Sequence, residues 1–396
     1  MCFFCTAYLS RQGCRRSAPV RQIFDLLLYP ANLSFPTVLA KKTTKNPGKT
    51  AAYPTNGKKL HSFGLFGRVF VLLGLGIFSL AVIFGGFLFW SSRPLPMKTL
   101  PLEFSVAPGA SLGTVVARMQ DAGIDVAEAP FKMLARYRGV AGKIKQGVYS
   151  VDRAMSPDEL LGKMARGDVV QVEVSFPEGW SFRQLRARLD AHPDLRHELV
   201  GLSEAEIRLR IGVVEAQLEG LFFPDTYRLD KGSSDVALLR LAYKAMQANL
   251  AQAWQARTPG GPLKTPYQAL VLASIIEKET GRVEDRALVG SVFSNRLRLG
   301  MPLQSDPTVI YGMGAAFDGN IRKRDLRADN PYNTYTRGGL PPTPIGMPGR
   351  ASLDAALRPV QSDAVYFVAR GDGSSEFSAT LDAHNRAVNR YQRGGK

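Results

Sequence analysis

The feature that most constrains the fold is an apolar run, Val69–Trp90, whose 22 residues include no charged side chain. As a helix rising about 1.5 Å per residue it would span about 33 Å, the thickness of a bilayer core. Trp90 closes the run as an aromatic residue typical of the membrane interface. The run predicts a single transmembrane helix. A cleaved signal peptide is the alternative, but its apolar core would be shorter and nearer the N-terminus.

Charge is distributed unevenly around this run. Residues 1–68 carry eleven basic residues and one acid, whereas only Arg93 and Lys98 follow the run closely. This asymmetry predicts a cytoplasmic N-terminus and a body on the outer side of the membrane. The remaining basic charge forms no motif with interleaved aromatic residues, so we expect no nucleic-acid partner.

Cysteine and histidine usage excludes several kinds of chemistry. All three cysteines lie in the first 14 residues, which rules out a disulfide framework in the body. None of the four histidines lies in a metal-binding frame such as HExxH, so we expect no metal site. Walker A, GxGxxG and GxSxG motifs are missing too, so we expect no cofactor and no serine hydrolase triad. Carboxylate chemistry remains, with loop side chains that can bind sugar hydroxyls.

The pattern of periodicities predicts an α+β fold in several parts. Residues 1–68 are predicted to be a basic, poorly ordered cytoplasmic tail, and the three prolines within 91–102 predict a stiff spacer after the transmembrane helix. Residues 103–175 alternate short strands and helices, which predicts a small α/β module. Residues 176–396 predict a larger mixed α/β domain.

Within the larger domain, Ala269–Gly281 predicts a buried helix that ends in carboxylates. Thr265 and Pro266 form a start signal, and Gly281 is a stop signal. Glu279 continues an apolar face at helical spacing, so both desolvation and the helix dipole would raise its pKa. A raised pKa suits a general acid working near neutral pH. The alternative is an ordinary helix end whose glutamates, Glu277 and Glu279, are solvated.

Two further stretches predict loops. Residues 330–349 hold five prolines and four glycines, and a loop of this length in a compact domain is usually functional. Residues 302–314 predict a loop with strand character.

Five sequence blocks together resemble the endolytic murein transglycosylase family, also called YceG-like. The resemblance covers residues 104–393, and the plan of one anchor, a LysM-like module and a catalytic domain is similar. The blocks are EGLFFPDTY at 219–227, ASIIEKET at 273–280, VFSNRLRLGMPLQSDPTVIYG at 292–312, YNTYTRGGLPPTPIGMPG at 332–349 and YFVARGDG with a later F and HN at 366–385.

The resemblance implies a membrane-anchored lytic transglycosylase that cuts peptidoglycan strands internally, between N-acetylmuramic acid and N-acetylglucosamine. It implies that Glu279 is the catalytic residue, acting first as acid and then as base, so that the product ends in 1,6-anhydro-N-acetylmuramic acid. The substrate's own hydroxyl is then the nucleophile. Peptidoglycan strands and the membrane are the expected partners, and peptidoglycan synthases are further candidates.

Polar residues in the same blocks are candidates for orienting the sugar and the acid, although each can instead serve only the architecture of its loop. Glu277 and Glu219 are candidate supporting residues. The candidate substrate-binding residues are Gln304, Ser305, Asp306, Tyr311, Asn333, Tyr335 and Thr336.

Two other functions stay open from the sequence. A lysozyme-type hydrolase would need a second carboxylate about 5–9 Å from the first, and Asp306 is the candidate for it. A non-catalytic cell-wall binding or division scaffold would not need Glu279 at all.

Overall fold

The computed structural model describes residues 65–394, so most of the predicted cytoplasmic tail lies outside the described residues. The described part combines helices with short strands, which confirms the mixed α/β prediction. The helices are α1 (Leu65–Ser92), α2 (Leu112–Asp121), α3 (Glu128–Tyr137), α4 (Pro157–Arg166), α5 (Phe182–Asp190), α6 (Glu204–Ile211), α7 (Asp235–Gln255), α8 (Pro266–Glu279), α9 (Arg286–Arg298), α10 (Asp306–Met313), α11 (Lys323–Arg327), α12 (Arg350–Leu357) and α13 (Leu381–Tyr391). The strands are β1 (Leu102–Val106), β2 (Gly147–Val151), β3 (Gln171–Ser175), β4 (Thr226–Asp230), β5 (Tyr366–Ala369) and β6 (Ser375–Ser378).

Helix α1 contains the apolar run. In the described part, its segment Phe66–Ser92 is the one helical stretch that is long and apolar enough to cross a membrane. Its length and composition fit either a membrane anchor or a signal sequence.

The six strands form three separate antiparallel pairs. In the first pair Leu102 of β1 lies opposite Val151 of β2, and in the third Tyr366 of β5 lies opposite Ser378 of β6. The middle pair joins β3 to β4, which is more than 50 residues away in the chain. The predicted boundary at residue 175 places β3 in the small module, but its strand partner β4 lies in the following part of the chain.

A first hydrophobic cluster is built by β1, β2 and helices α2, α3 and α4. Serines start two of these helices, since the hydroxyls of Ser111 and Ser156 accept backbone N–H groups of the first turn. Leu95 is buried in the same cluster, and its N–H donates to the carbonyl of Met155. The segment predicted as a spacer is therefore packed against this cluster.

A second hydrophobic cluster surrounds α8, which packs against α7, α9, α10 and α12. Every residue of Ala269–Ile276 is buried, as the nearly continuous apolar sequence predicts. Thr265 caps the helix start by accepting the N–H of Gln268 at 3.2 Å. The helix ends at Glu279, two residues before the predicted stop at Gly281, because Thr280 leaves the helical conformation.

One local prediction is wrong. Residues 302–314 were expected to be a loop with strand character, whereas most of them form α10. Asp306 and Pro307 occupy its first turn, where an acidic residue and a proline are both favoured, and these start signals outweigh the β-branched residues that follow. Residues 330–349 form neither helix nor strand, as predicted.

The crossing of α9 over α12 depends on Gly290, and this gives a stability prediction. A Cβ at this position would overlap the backbone carbonyl of Ala355, so Gly290→Ala should destabilise the fold by about 1–3 kcal/mol through overpacking. Gly162→Ala in α4 is the matched control, because its Cβ would meet only the mobile guanidinium of Arg166. Denaturant unfolding should show the control unchanged or slightly more stable, and equal effects at both positions would contradict the packing account.

Candidate active site

Helix α8 carries Glu279 at its last position, next to the start of α10. The side chain is partly buried, and Ser305 Oγ donates a hydrogen bond to Glu279 Oε1 at 2.6 Å. The second oxygen, Oε2, accepts no hydrogen bond from the described residues. It is also not among the side-chain atoms that are both fully buried and without a hydrogen-bond partner. One carboxylate oxygen is therefore held by the protein while the other is open to an incoming group.

A network of threonines fixes the serine that binds Glu279. Ser305 is buried, and its N–H donates to Thr334 Oγ1 at 3.0 Å. Thr308 Oγ1 donates to the carbonyl of Ser305 at 2.7 Å, and the hydroxyls of Thr308 and Thr334 lie 2.9 Å apart. The Ser305 hydroxyl is thus positioned by both the start of α10 and the long loop.

Gln304, the residue before this serine, has a strained backbone. Its φ is +50°, the only positive φ at a non-glycine residue of the described part. Such conformations cost energy and persist where the surroundings impose them. Here the Gln304 N–H donates to the carbonyl of Thr334 at 3.0 Å, and its side-chain oxygen accepts from Arg296 at 3.2 Å.

Arg296 of α9 binds the segment that leads into Gln304. Its guanidinium is buried, with Nε donating to the carbonyl of Val365 at 2.7 Å and Nη1 to the carbonyl of Leu303 at 2.9 Å. Its charge also acts on Glu279 by lowering the pKa of that carboxyl. Arg296 could not be recognised as a site residue from the sequence, since an arginine in a helix normally indicates a solvated face.

The pKa of Glu279 is raised from the usual value of 4.5 to about 7. Desolvation by burial is the largest cause, and the negative charge of Asp306 adds to it. The Ser305 hydrogen bond and the charge of Arg296 oppose the rise. The carboxyl can therefore both give and accept a proton near neutral pH.

Asp306 and Tyr335 form a pair beside this carboxyl. Tyr335 Oη donates to Asp306 Oδ1 at 2.5 Å, and burial together with this bond raises the pKa of the Tyr335 hydroxyl. One oxygen of Asp306 is therefore occupied, while its charge still acts on Glu279.

Asn333 and Thr336 serve the architecture of the long loop. Asn333 is buried, and its Nδ2 donates to the carbonyl of Ala328 at 2.7 Å while its Oδ1 accepts the N–H of Tyr335 at 2.9 Å. Thr336 donates to the carbonyl of Asn333 at 3.2 Å. Both contacts orient the backbone that carries Tyr335.

Glu277 faces different partners from Glu279. Its Oε1 accepts from Arg286 at 3.2 Å, and its Oε2 accepts the N–H of Gly349 at 2.9 Å. Glu277 therefore ties the end of α8 to α9 and to the end of the long loop. Ser274 makes a similar tie, because its hydroxyl accepts the N–H of Ile345 at 3.0 Å.

Glu219 forms a second buried carboxyl site with Tyr311. Both oxygens accept the N–H of Phe182 at the start of α5, at 3.0 and 3.2 Å, and Tyr311 Oη donates to Oε2 at 3.1 Å. Burial raises the pKa of Glu219 to about 7, against the lowering effect of these bonds. Glu219 thus links α5 to α10, the helix that begins beside Glu279.

Two concavities of the described part lie away from this site. Those concavities measure about 420 and 580 Å³, and none of the candidate site residues lines either of them. Arg286, which binds Glu277, lines the smaller one.

Comparison with known proteins identifies the family. The YceG-like family matches residues 104–390, most of the chain. The chain belongs to the YceG-like family. This confirms the resemblance seen in the sequence blocks.

Individual relatives carry a functional name. An endolytic murein transglycosylase of Bacillus subtilis (strain 168) is 28% identical over 332 residues, covering 78% of this chain and 91% of the relative. One of Streptococcus pneumoniae serotype 2 (strain D39) is 25% identical over 316 residues, covering 72% of this chain and 57% of the relative. A crystal structure of a YceG-like protein from Listeria monocytogenes shares 28% identity, covers 72% of this chain and 98% of that one, and has a TM-score of 0.47.

The buried carboxyl of Glu279 predicts a stability effect with a definite sign. Because its folded-state pKa lies above the usual 4.5, the folded protein binds the proton more tightly and loses stability as pH rises from about 4.5 to about 7. Glu279→Gln removes this ionisation and keeps an oxygen for Ser305. It should raise the free energy of unfolding at pH 8 by on the order of 2 kcal/mol, with little change near pH 4.

Denaturant unfolding of both proteins at several pH values measures this difference. Glu219 titrates in the same range in both proteins, so it cancels in the comparison. A variant that is less stable than the wild type at pH 8 would contradict the burial of an ionisable carboxyl at this position.

Proposed function

We propose that this chain is a peptidoglycan lytic transglycosylase that cuts glycan strands internally, with Glu279 as the single catalytic residue. The observation that carries the proposal is a carboxyl whose pKa is raised to about 7 by burial, with one oxygen held by Ser305 and the other open. Membership of the YceG-like family and the names of its relatives support the same activity.

In the first step, protonated Glu279 gives its proton to the glycosidic oxygen between N-acetylmuramic acid and N-acetylglucosamine. The bond between C1 and that oxygen breaks, and the muramic ring becomes oxocarbenium-like. The leaving sugar departs with a neutral hydroxyl. Glu279 is now a carboxylate, stabilised by the Ser305 hydroxyl and by the nearby charge of Arg296.

In the second step, the carboxylate takes the proton of the C6 hydroxyl of the same muramic ring. That oxygen attacks C1 and closes the 1,6-anhydro ring, while Glu279 returns to its protonated form. No water is consumed and no second enzyme carboxylate is required. A pKa near neutrality suits both steps, because one group must act in turn as acid and as base.

Residues around Glu279 are proposed to orient the sugar. Gln304, Asp306 and Tyr335 come from the two segments that meet at Ser305 and are the candidates for direct contact. Asn333, Thr336 and Glu277 are proposed to hold the loops, and Glu219 with Tyr311 to hold α10 against α5.

The cellular setting is also a proposal. Helix α1 would anchor the chain in the cell inner membrane, with the N-terminus in the cytoplasm and the remainder in the periplasm. A catalytic domain tethered there, with residues 103–175 as a LysM-like module, would act on strands near their site of synthesis. Peptidoglycan synthases are therefore candidate partners.

A lysozyme-type hydrolase is the second candidate function, because the charge of Asp306 acts on Glu279. Asp306 would then have to serve as the second carboxylate. Against this role, one of its oxygens is already occupied by the Tyr335 hydroxyl. The products separate the two reactions, since hydrolysis gives reducing ends and transglycosylation gives anhydro ends that are lighter by one water.

Glu279→Gln should abolish strand cleavage, because the amide has no proton to give at neutral pH. With purified peptidoglycan we expect the rate to fall by about 10²–10⁴-fold or more, and wild-type products to carry anhydro ends by mass spectrometry. The matched control is Glu284→Gln, an exposed glutamate five residues further on, which should keep full activity. Turnover by Glu279→Gln would refute the assignment and favour a scaffold role.

Ser305→Ala should shift the pH dependence of cleavage. The Ser305 hydrogen bond lowers the pKa of Glu279. Without this bond the acid should stay protonated at higher pH, and the alkaline limb of the rate profile should move to higher pH. Ser294→Ala is the control, since the hydroxyl of this buried serine on α9 makes no hydrogen bond to any residue that the structure describes. A shift of the alkaline limb to lower pH, or equal pH profiles for both variants, would contradict the proposed role of Ser305.

A further inference from the structure

The last turns of α1 do not stand alone, because the first hydrophobic cluster packs against them. Tyr137, at the end of α3, contacts Phe84 edge-to-face with 5.8 Å between ring centroids, and it contacts Phe87 at 6.5 Å. Phe87 in turn stacks on Trp90. The end of α3 is thus attached to the side of α1, before that helix ends at Ser92.

The position of this contact along α1 determines how deep it would lie in a bilayer. Phe84 precedes Trp90 by six residues, which is about 9 Å along the helix axis. If α1 crosses the membrane as proposed, Trp90 lies at the interface. Tyr137 then reaches about 9 Å below it, within the 5–10 Å depth typical of interfacial helices.

The outward side of α3 has the composition that such a position requires. Met133 and Tyr137 lie one helical turn apart and are 52% and 56% exposed, although both are large and mostly apolar. Arg136 is exposed between them and forms no ion pair with any described residue. The opposite side of the helix is anchored in the first cluster by Phe131 and Leu134, so this side faces outward in a fixed orientation.

Basic charge continues onto the end of α1. Arg93 follows the helix and stacks its guanidinium over the ring of Phe89 at 4.3 Å, and Phe89 is itself 59% exposed. An arginine beside exposed aromatic rings is typical of a membrane interface, where the rings enter the acyl region and the cation stays at the phosphates.

We infer that the end of α3 is a second membrane contact, in which Met133 and Tyr137 enter the outer leaflet beside α1 while Arg136 and Arg93 bind lipid phosphates. This inference rests on the proposed membrane span of α1. The occupant of the surface is the phospholipid of the bilayer that α1 crosses, because the surface is continuous with the apolar side of that helix. Two contacts instead of one would fix the orientation of the first cluster on the membrane.

A depth measurement on the full chain tests this inference. The three tail cysteines, Cys2, Cys5 and Cys14, are replaced by serine, and a single cysteine is introduced as Met133→Cys and labelled with an environment-sensitive fluorophore. The protein is reconstituted in vesicles of phosphatidylcholine and phosphatidylglycerol, and quenching is measured with nitroxides placed shallow or deep in the lipid. Leu73→Cys in α1 reports the span, and Val214→Cys, at an exposed position outside the first cluster, is the control.

Label at position 133 should be quenched by the shallow nitroxide at least about twofold, with position 73 quenched by the deep one and position 214 unaffected. Adding Arg136→Glu should reduce the quenching at position 133 in the anionic vesicles. If the label at position 73 is quenched but the label at position 133 is quenched no more than that at position 214, the second contact is overturned while the anchor stays intact. Absence of quenching at 73 would overturn the anchor and this inference together, without affecting the proposed catalytic role of Glu279.

Discussion

The structure around the candidate site depends on one interaction, the hydrogen bond from Ser305 to a glutamate whose pKa burial raises into the neutral range. Burial alone would raise the pKa of Glu279 further, and Ser305 and Arg296 limit that rise to about 7. The opposing effects leave a group that can change its protonation state at little free-energy cost. This property is what a reaction with one acid–base residue requires.

The opposing effects on the pKa of Glu279 stay in balance only if the residues around it are held in fixed positions. The serine is held by Thr334 and Thr308, and the preceding Gln304 is kept at positive φ by bonds from two directions. Buried polar networks of this kind specify one geometry when every member is satisfied. The strain at Gln304 and the buried charge of Arg296 are costs that the fold tolerates next to Glu279, and such costs concentrate at functional sites.

The sequence was most informative where local signals and burial agree. The start of α8 at Thr265 and its buried face were predictable, because a cap, a proline and an apolar run all indicate the same helix. The pairing of β3 with β4 was not predictable, since it joins segments that are distant in the chain. The helix α10 was missed because its β-branched residues favour a strand, and Arg296 because only the folded chain brings distant carbonyls around its guanidinium.

The central claim is that Glu279 gains and loses its proton near neutral pH, and infrared difference spectroscopy tests it most directly. The spectrum of Glu279→Gln is subtracted from that of the wild type across a pH titration, so the carbonyl band of a protonated carboxylic acid reports Glu279 alone. The account predicts that this band disappears with a midpoint near pH 7. A midpoint near 4.5, the usual value for a glutamate, would contradict it.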